Sequence, residues 1–263
     1  MIYDFVFVVL VYRNTDDLKD FFANLDIPNS KTIVVNSFYD ELSENKFHNI
    51  ASINEADFFS VPNKGYGAGN NVGCEYALKN YSFKYLVITN ADIEIFKLKI
   101  SDLKQLKDYV IAPNIITNSG KHQNPSEPFT PGRLIHTLMK NCYKGDHNKL
   151  IWVFYAWCRA KRIIYNTISV FARPKYIYSA HGSFLIIPHD ILTKLHPIYN
   201  EKMFLMNEEG HLAKKCQHLG IKTVYLSQIT ILHKEDGSMS LEYSSEFKIL
   251  KQSFLEFYDN WYN

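Results

Sequence analysis

Apolar residues fall along this chain in short blocks, and the spacing inside the blocks changes with position. Residues 5–12 form a nearly unbroken apolar run that stops at Arg13 and Asn14, the pattern of a strand covered on both faces. Leu18, Phe21, Phe22 and Leu25 then recur at helical spacing, with Thr15 placed to cap and Asp16 and Asp17 in the first turn. Blocks at 32–35, 50–53, 58–61, 85–89 and 110–112 read as further strands, and 70–78 as a helix. This order predicts an α/β fold, an open and mostly parallel central sheet with flanking helices and a ligand site at the carboxyl ends of its strands.

The second half is less regular. Residues 120–132 hold three prolines and read as a loop, 183–187 as a strand, and 208–219 as a helix stopped by Gly220, with Leu212, Cys216 and Leu219 as its buried stripe. A strand pair is expected at 223–226 and 230–232. Tyr243, Phe247, Leu250, Phe254 and Phe257 mark an amphipathic C-terminal helix.

Composition narrows the class. With 46% apolar and 21% charged residues and a formal net charge of +2, the chain reads as a soluble, core-forming protein without the basic excess of a nucleic-acid binder. Cys74, Cys142, Cys158 and Cys216 are dispersed, which predicts reduced thiols and no structural zinc site. The first apolar run has no basic leader or cleavage site, and no uncharged run reaches the ~20 residues that span a bilayer as a helix. The small net charge conceals a split. Residues 133–176 carry nine basic residues and one acid, Asp146, interleaved with Trp152, Phe154, Tyr155, Trp157, Tyr165 and Phe171. That mixture predicts a helical insertion lying on an anionic membrane surface. A helical insertion whose aromatics pack on the core is the plainer alternative.

The residues with chemistry sit at the ends of these blocks. The segment 63–71, Asn-Lys-Gly-Tyr-Gly-Ala-Gly-Asn-Asn, follows a strand and opens a helix. It is either a cradle of amides for phosphate or sugar, or a tight connection using glycine for positive φ. As a dinucleotide fingerprint it departs at its last position, which leaves an NAD-type oxidoreductase as an alternative function. Asp92 follows the strong strand at 85–89 and is either a turn residue or helix cap, or a carboxylate that holds a divalent cation on a diphosphate. Glu208 and Glu209 open a helix, where acids also complement its dipole, and His233 ends a strand, where it is either a rim histidine or a ligand; the three elements can converge on one sheet edge.

Assembled in order, these segments resemble an inverting nucleotide-sugar glycosyltransferase of family 2, near its bacterial rhamnosyltransferase-like branch. The likeness runs through Tyr12-Arg13-Asn14, Asn36, the 63–73 glycine segment, Asn90-Ala91-Asp92 as the branch's metal motif, and His181-Gly182-Ser183. It closes with 199–209 ending in Glu208-Glu209, and with His233, Gly237 and Ser238. The resemblance implies a GT-A-type fold in which residues 1–115 form a nucleotide-sugar-binding half. Residues 116–263 form an acceptor half carrying the 133–176 insertion, fused with the first into one catalytic domain. Tyr12, Asn14, Asn36, Asn63, Lys64, Gly65, Gly69, Asn71 and Asn90 would hold the donor, and Asp92 and His233 would hold Mg²⁺ or Mn²⁺. His181 and Gly182 would lie on the acceptor side. Glu209 falls where the family's base stands, with Glu208 as the alternative base. The implied partners are a nucleoside-diphosphate sugar and a polyprenyl-diphosphate-linked or other glycan acceptor, and the implied location is the cytoplasmic face of the cell membrane. A catalytically degenerate, membrane-associated scaffold is the further alternative.

Overall fold

Strand β1 (Ile2–Val11) carries the alternation that organises the sheet: Val6 and Val8 enter one core, and Phe5, Phe7, Val9 and Val11 enter the other. A computed structural model describes residues 1–145, 156–157, 159–161, 163–165, 175–235 and 243–263. On either side of β1 lie β2 (Ser30–Ser37) and β4 (Ser82–Asn90), both parallel to it, with β3 (Asp57–Val61) parallel beyond β2. Helices α1 (Thr15–Asn24), α2 (Glu41–Ile53) and α3 (Tyr66–Asn80) make the crossovers. Leu18 and Phe21 of α1 and Phe47 and Ile50 of α2 pack on the Phe5 and Phe7 face, whereas Cys74 and Ala77 of α3 pack on the Val6 and Val8 face. Each buried Leu or Phe stabilises the fold by about 1.5–3 kcal/mol.

Beyond β4 the direction changes. β8 (Phe184–Pro188) runs antiparallel to β4, and β6 (Tyr109–Thr117) is antiparallel to β8 and parallel to β9 (Lys222–His233). The outer edge of β9 pairs first with β7 (Lys175–Ile177) and then with β5 (Ile93–Lys97), both antiparallel. Leu226 and Thr230 lie opposite the consecutive residues Pro113 and Asn114, so residues 227–229 bulge out at the change of partner. The described strands form one nine-stranded sheet. Its geometry puts the carboxyl ends of β1, β2, β4, β6 and β9 on the same edge as the amino ends of β5 and β8.

The second half adds the helices α4 (Arg133–Lys144), α5 (His189–Leu195), α6 (Glu208–His218) and α7 (Tyr243–Tyr262). Met139 and Tyr143 of α4 pack with Phe254, Phe257 and Tyr258 of α7 in a third core. No described helix is long and apolar enough to cross a membrane.

Several expectations need correction. Residues 50–53 belong to α2, because Phe47, Ile50 and Ala51 recur at helical spacing and Asp40 caps the helix by accepting from the Ser43 amide at 2.7 Å. Asn14, not Thr15, caps α1, accepting from the Asp16 amide. The expected pair at 223–226 and 230–232 is the single strand β9. Leu219 is 45% exposed just past the end of α6, outside any buried stripe. Cys74, Cys142 and Cys216 are free thiols, as expected of dispersed cysteines. Asp146, Trp152, Phe154, Tyr155, Cys158, Phe171, Gly237 and Ser238 lie outside the described residues.

Candidate active site

The glycine segment is built for close packing. Gly65 has φ 101°, and a Cβ there would lie 1.9 Å from the Phe204 carbonyl oxygen, so both conformation and space demand glycine. Asn63 accepts from the Gly65 amide at 3.1 Å, and the Tyr66 amide donates to the Phe204 carbonyl at 2.9 Å. Those two amides are therefore occupied by the protein itself, which favours the tight-connection reading over a dinucleotide phosphate cradle. A Cβ on Gly69 would meet Leu10 at 2.4 Å, so its role in the fold is to let α3 approach β1. Asn71 is also a clamp. Its amide nitrogen donates to the Tyr199 carbonyl (2.9 Å) and its oxygen accepts from the Tyr199 amide (3.1 Å). Lys64 is exposed beside them.

At the carboxyl ends of β1 and β2, Asn36 is fully buried, donating to Ser60 Oγ at 3.1 Å while its Oδ1 finds no partner among the described residues. Arg13 adopts φ 61° and sets its guanidinium 4.2 Å from the Tyr39 ring centre and 4.9 Å from that of Tyr12. Its Nε is buried without a partner among the described residues. The Asn14 side chain is spent on the α1 cap.

The other end of the edge gathers the titratable groups. Asp92 Oδ2 lies 3.1 Å from His233 Nε2. These residues meet because β5 begins with Ile93, whose register partner on β9 is His233 itself. Asn90 of β4 is tied to the same corner through its amide, which donates to the Ser183 carbonyl at 3.0 Å. The His181 ring centre is 5.8 Å from that of His233, and the His181 amide donates to Asn124 Oδ1 at 2.7 Å. Next in the chain, the Gly182 amide donates to Glu209 Oε1 at 3.2 Å, and the Gly182 carbonyl accepts from the Tyr66 hydroxyl at 2.7 Å. Glu209, Gly182 and the glycine-segment helix are thus joined directly.

Glu208 and Glu209 open α6 after two successive left-handed residues, Met206 (φ 71°) and Asn207 (φ 65°), a backbone strain of the kind concentrated at functional sites. Glu208 is 3% exposed, and its Oε1 has no partner among the described residues. Burial, then the neighbouring Glu209, pushes its carboxyl up to about 8. Burial also raises Glu209, against the lowering effect of the Gly182 amide. The pair titrates as a unit in which one member keeps its proton near neutrality.

Among the described residues no cluster of three or more His, Cys, Asp or Glu side chains is assembled for a metal. Asp92 and His233 nonetheless fit two sites of an octahedral cation. Adjacent ligands at about 2.1 Å from such an ion stand about 3 Å apart, and Mg²⁺ commonly takes one or two protein ligands with the rest from phosphate and water.

The sequence reading quoted Arg13 without giving it a role, and missed Tyr39, Gln123, Asn124 and Glu235. Gln123 and Asn124 lie in the proline-rich loop, where no periodicity reports a side chain's direction.

No family model matches the chain. Over 240 residues it is 23% identical to the low-salt glycan biosynthesis hexosyltransferase Agl10 of Haloferax volcanii, covering 89% of this chain and 68% of that protein. Among solved structures it is similar to GalNAc-T7 with UDP, GalNAc and Mn²⁺ (TM-score 0.62, 11% identity), over 97% of this chain and 48% of that one. It is also similar to S. aureus TarS 1–349 in complex with UDP-GlcNAc (TM-score 0.55, 15% identity), over 91% of this chain and 61% of that one. The chain therefore spans about half to three fifths of these two structures. The fold is of the GT-A type, and fold and sequence similarity together support a glycosyltransferase.

Proposed function

We propose that the protein is a metal-dependent, inverting glycosyltransferase that moves a sugar from a UDP- or dTDP-type donor to a hydroxyl of a growing, lipid-linked surface glycan. The observation that carries this reading is the continuous line of groups from Asp92 and His233 through His181 and Gly182 to Glu209. Asp92 and His233 would hold Mg²⁺ or Mn²⁺, which when bound supplies charge neutralisation for a departing diphosphate. Glu209 takes the proton of the acceptor hydroxyl while that oxygen bonds to the anomeric carbon from the face opposite the diphosphate. The carbon–oxygen bond to the diphosphate breaks, and its electron pair leaves with the nucleoside diphosphate, which inverts the configuration. With Oε1 engaged by the Gly182 amide, Oε2 of Glu209 is the oxygen for that proton. Glu208, held protonated by burial, orients the acceptor or the base.

Tyr12, Arg13 and Asn36 line the donor end, and the rhamnosyltransferase-like motif order supports a deoxyhexose or hexose donor. The cationic and aromatic block at 133–176 supports attachment to the anionic cytoplasmic face of the membrane, where a polyprenyl-linked acceptor is presented. An NAD-type oxidoreductase has no use for the Glu208, Glu209 and His233 arrangement.

Incubation with a panel of nucleotide sugars and Mn²⁺ is expected to give donor binding and release of a nucleoside diphosphate. Glu209→Gln is expected to keep donor affinity and lose about 10²–10⁴-fold in transfer rate. Preference for NAD over every nucleotide sugar would overturn the reading, and a fully active Glu209→Gln would move the base to Glu208.

A further inference from the structure

The loop between β6 and α4 places two neighbouring side chains against the two histidines of the site. Its backbone is pinned first, the Gln123 amide donating to the Ile115 carbonyl of β6 at 2.9 Å. From there Asn124 accepts from the His181 amide, as described, and donates to the Pro113 carbonyl at 2.8 Å. Gln123 reaches His233, with Oε1 2.8 Å from Nδ1, and its Nε2 donates to Glu235 Oε1 at 2.7 Å. Gln123 is 6% exposed, and Glu235 turns back toward it through a left-handed φ of 55°.

The order of donors in this chain is fixed by chemistry. A carboxylate only accepts, so the Gln123 amide nitrogen must face Glu235 and its oxygen must face His233. An amide oxygen also only accepts, so His233 must carry its hydrogen on Nδ1. In the neutral ring Nε2 then presents a lone pair toward Asp92 Oδ2 at 3.1 Å. Two acceptors facing one another at that distance, with no hydrogen between them, suit a shared cation.

We infer that Gln123, itself oriented by Glu235, is a positioning residue that fixes the tautomer of His233 so that Nε2 is ready to bind a divalent cation beside Asp92. The inference rests on the metal role proposed above, and its test separates the two. In metal-free protein labelled with ¹⁵N-histidine, two-bond ¹H–¹⁵N correlations are expected to show His233 protonated at Nδ1, and Gln123→Leu is expected to abolish that preference. A neutral ring carrying its hydrogen on Nε2 instead of Nδ1 in the unmodified protein would overturn the inference whatever becomes of the metal.

Mn²⁺ affinity, read by electron paramagnetic resonance with UDP present, is expected to fall about 10–100-fold in Gln123→Leu. The paired exchange Gln123→Glu with Glu235→Gln restores an acceptor for Nδ1–H and a donor toward it, and is expected to keep affinity within about threefold of the unmodified protein. If Gln123→Leu does not fold, the paired exchange and Gln123→Met carry the comparison. Unchanged Mn²⁺ affinity in Gln123→Leu or Gln123→Met, with binding lost in Asp92→Ala, would overturn the inference and leave the metal site standing. Absence of Mn²⁺ binding in the unmodified protein would instead overturn the metal role, with the tautomer spectrum still deciding what Gln123 does.

Discussion

Glu208 shows what a buried acid does to the pH dependence of folding. Between the ordinary carboxylate range and about 8, the folded protein holds a proton that the unfolded chain has released. The native state therefore binds more protons, so stability is greatest below the unfolded pKa, falls as pH rises through this window, and levels off above about 8. Glu208→Gln keeps the shape and removes the titration. Urea denaturation at pH 5, 6.5 and 8 is expected to show a flatter profile for this variant and a gain at pH 8 on the order of a few kcal/mol. An unchanged slope would mean that another group carries the dependence. Among single residues, Asp92, Glu208, Glu209 and His233 were legible because their types stand out at element ends. Gln123 and Asn124 were not, since the direction of a loop side chain depends on partners brought near only by folding. Nor was the left-handed turn at Arg13, where no glycine announces a positive φ.

Among the elements, the junction of β3 and α3 depends on Gly65 more than its sequence motif suggests. Alanine there meets both a positive φ and the Phe204 carbonyl, and Phe204 leads into the strained turn before α6. Gly65→Ala is expected to cost at least about 2–3 kcal/mol in chemical denaturation. Gly132→Ala, at φ −70° with open space around the missing Cβ, is expected to be neutral or to stabilise by up to about 1 kcal/mol. Equal losses at the two positions would count against the steric account. The central strands were legible because β1 and β4 are apolar on both faces. Residues 50–53 misled because isoleucines at a helix end look like a short strand when their partner, Phe47, is three residues back. The change of partner along β9 did leave a trace, the polar Ser227-Gln228 at the bulge, but it read as a break between two strands because pairing with β6 on both sides of it is set by contacts distant in sequence.

At the scale of the whole molecule, the uneven charge makes its own prediction. Helix α4 exposes Leu134 (72%) and Leu138 (55%) near Arg133 and Lys140, so the basic block offers apolar as well as cationic contacts. Vesicles rich in anionic lipid are expected to sediment the protein at low salt and release much of it at high salt, with less sedimented after Leu134→Ser and Leu138→Ser. Failure to sediment at low salt would remove the support for membrane attachment. The overall α/β layering was legible from alternation alone, whereas the antiparallel return through β8 and the shared outer edge of β9 depend on pairings distant in sequence. That shared edge also determines where the chain can change in length. Asp92 and His233 are set by the Ile93–His233 rung, so insertions in the connection from β5 to β6 leave their separation intact. Deleting one residue between Thr230 and His233 would turn the imidazole to the opposite face of the sheet.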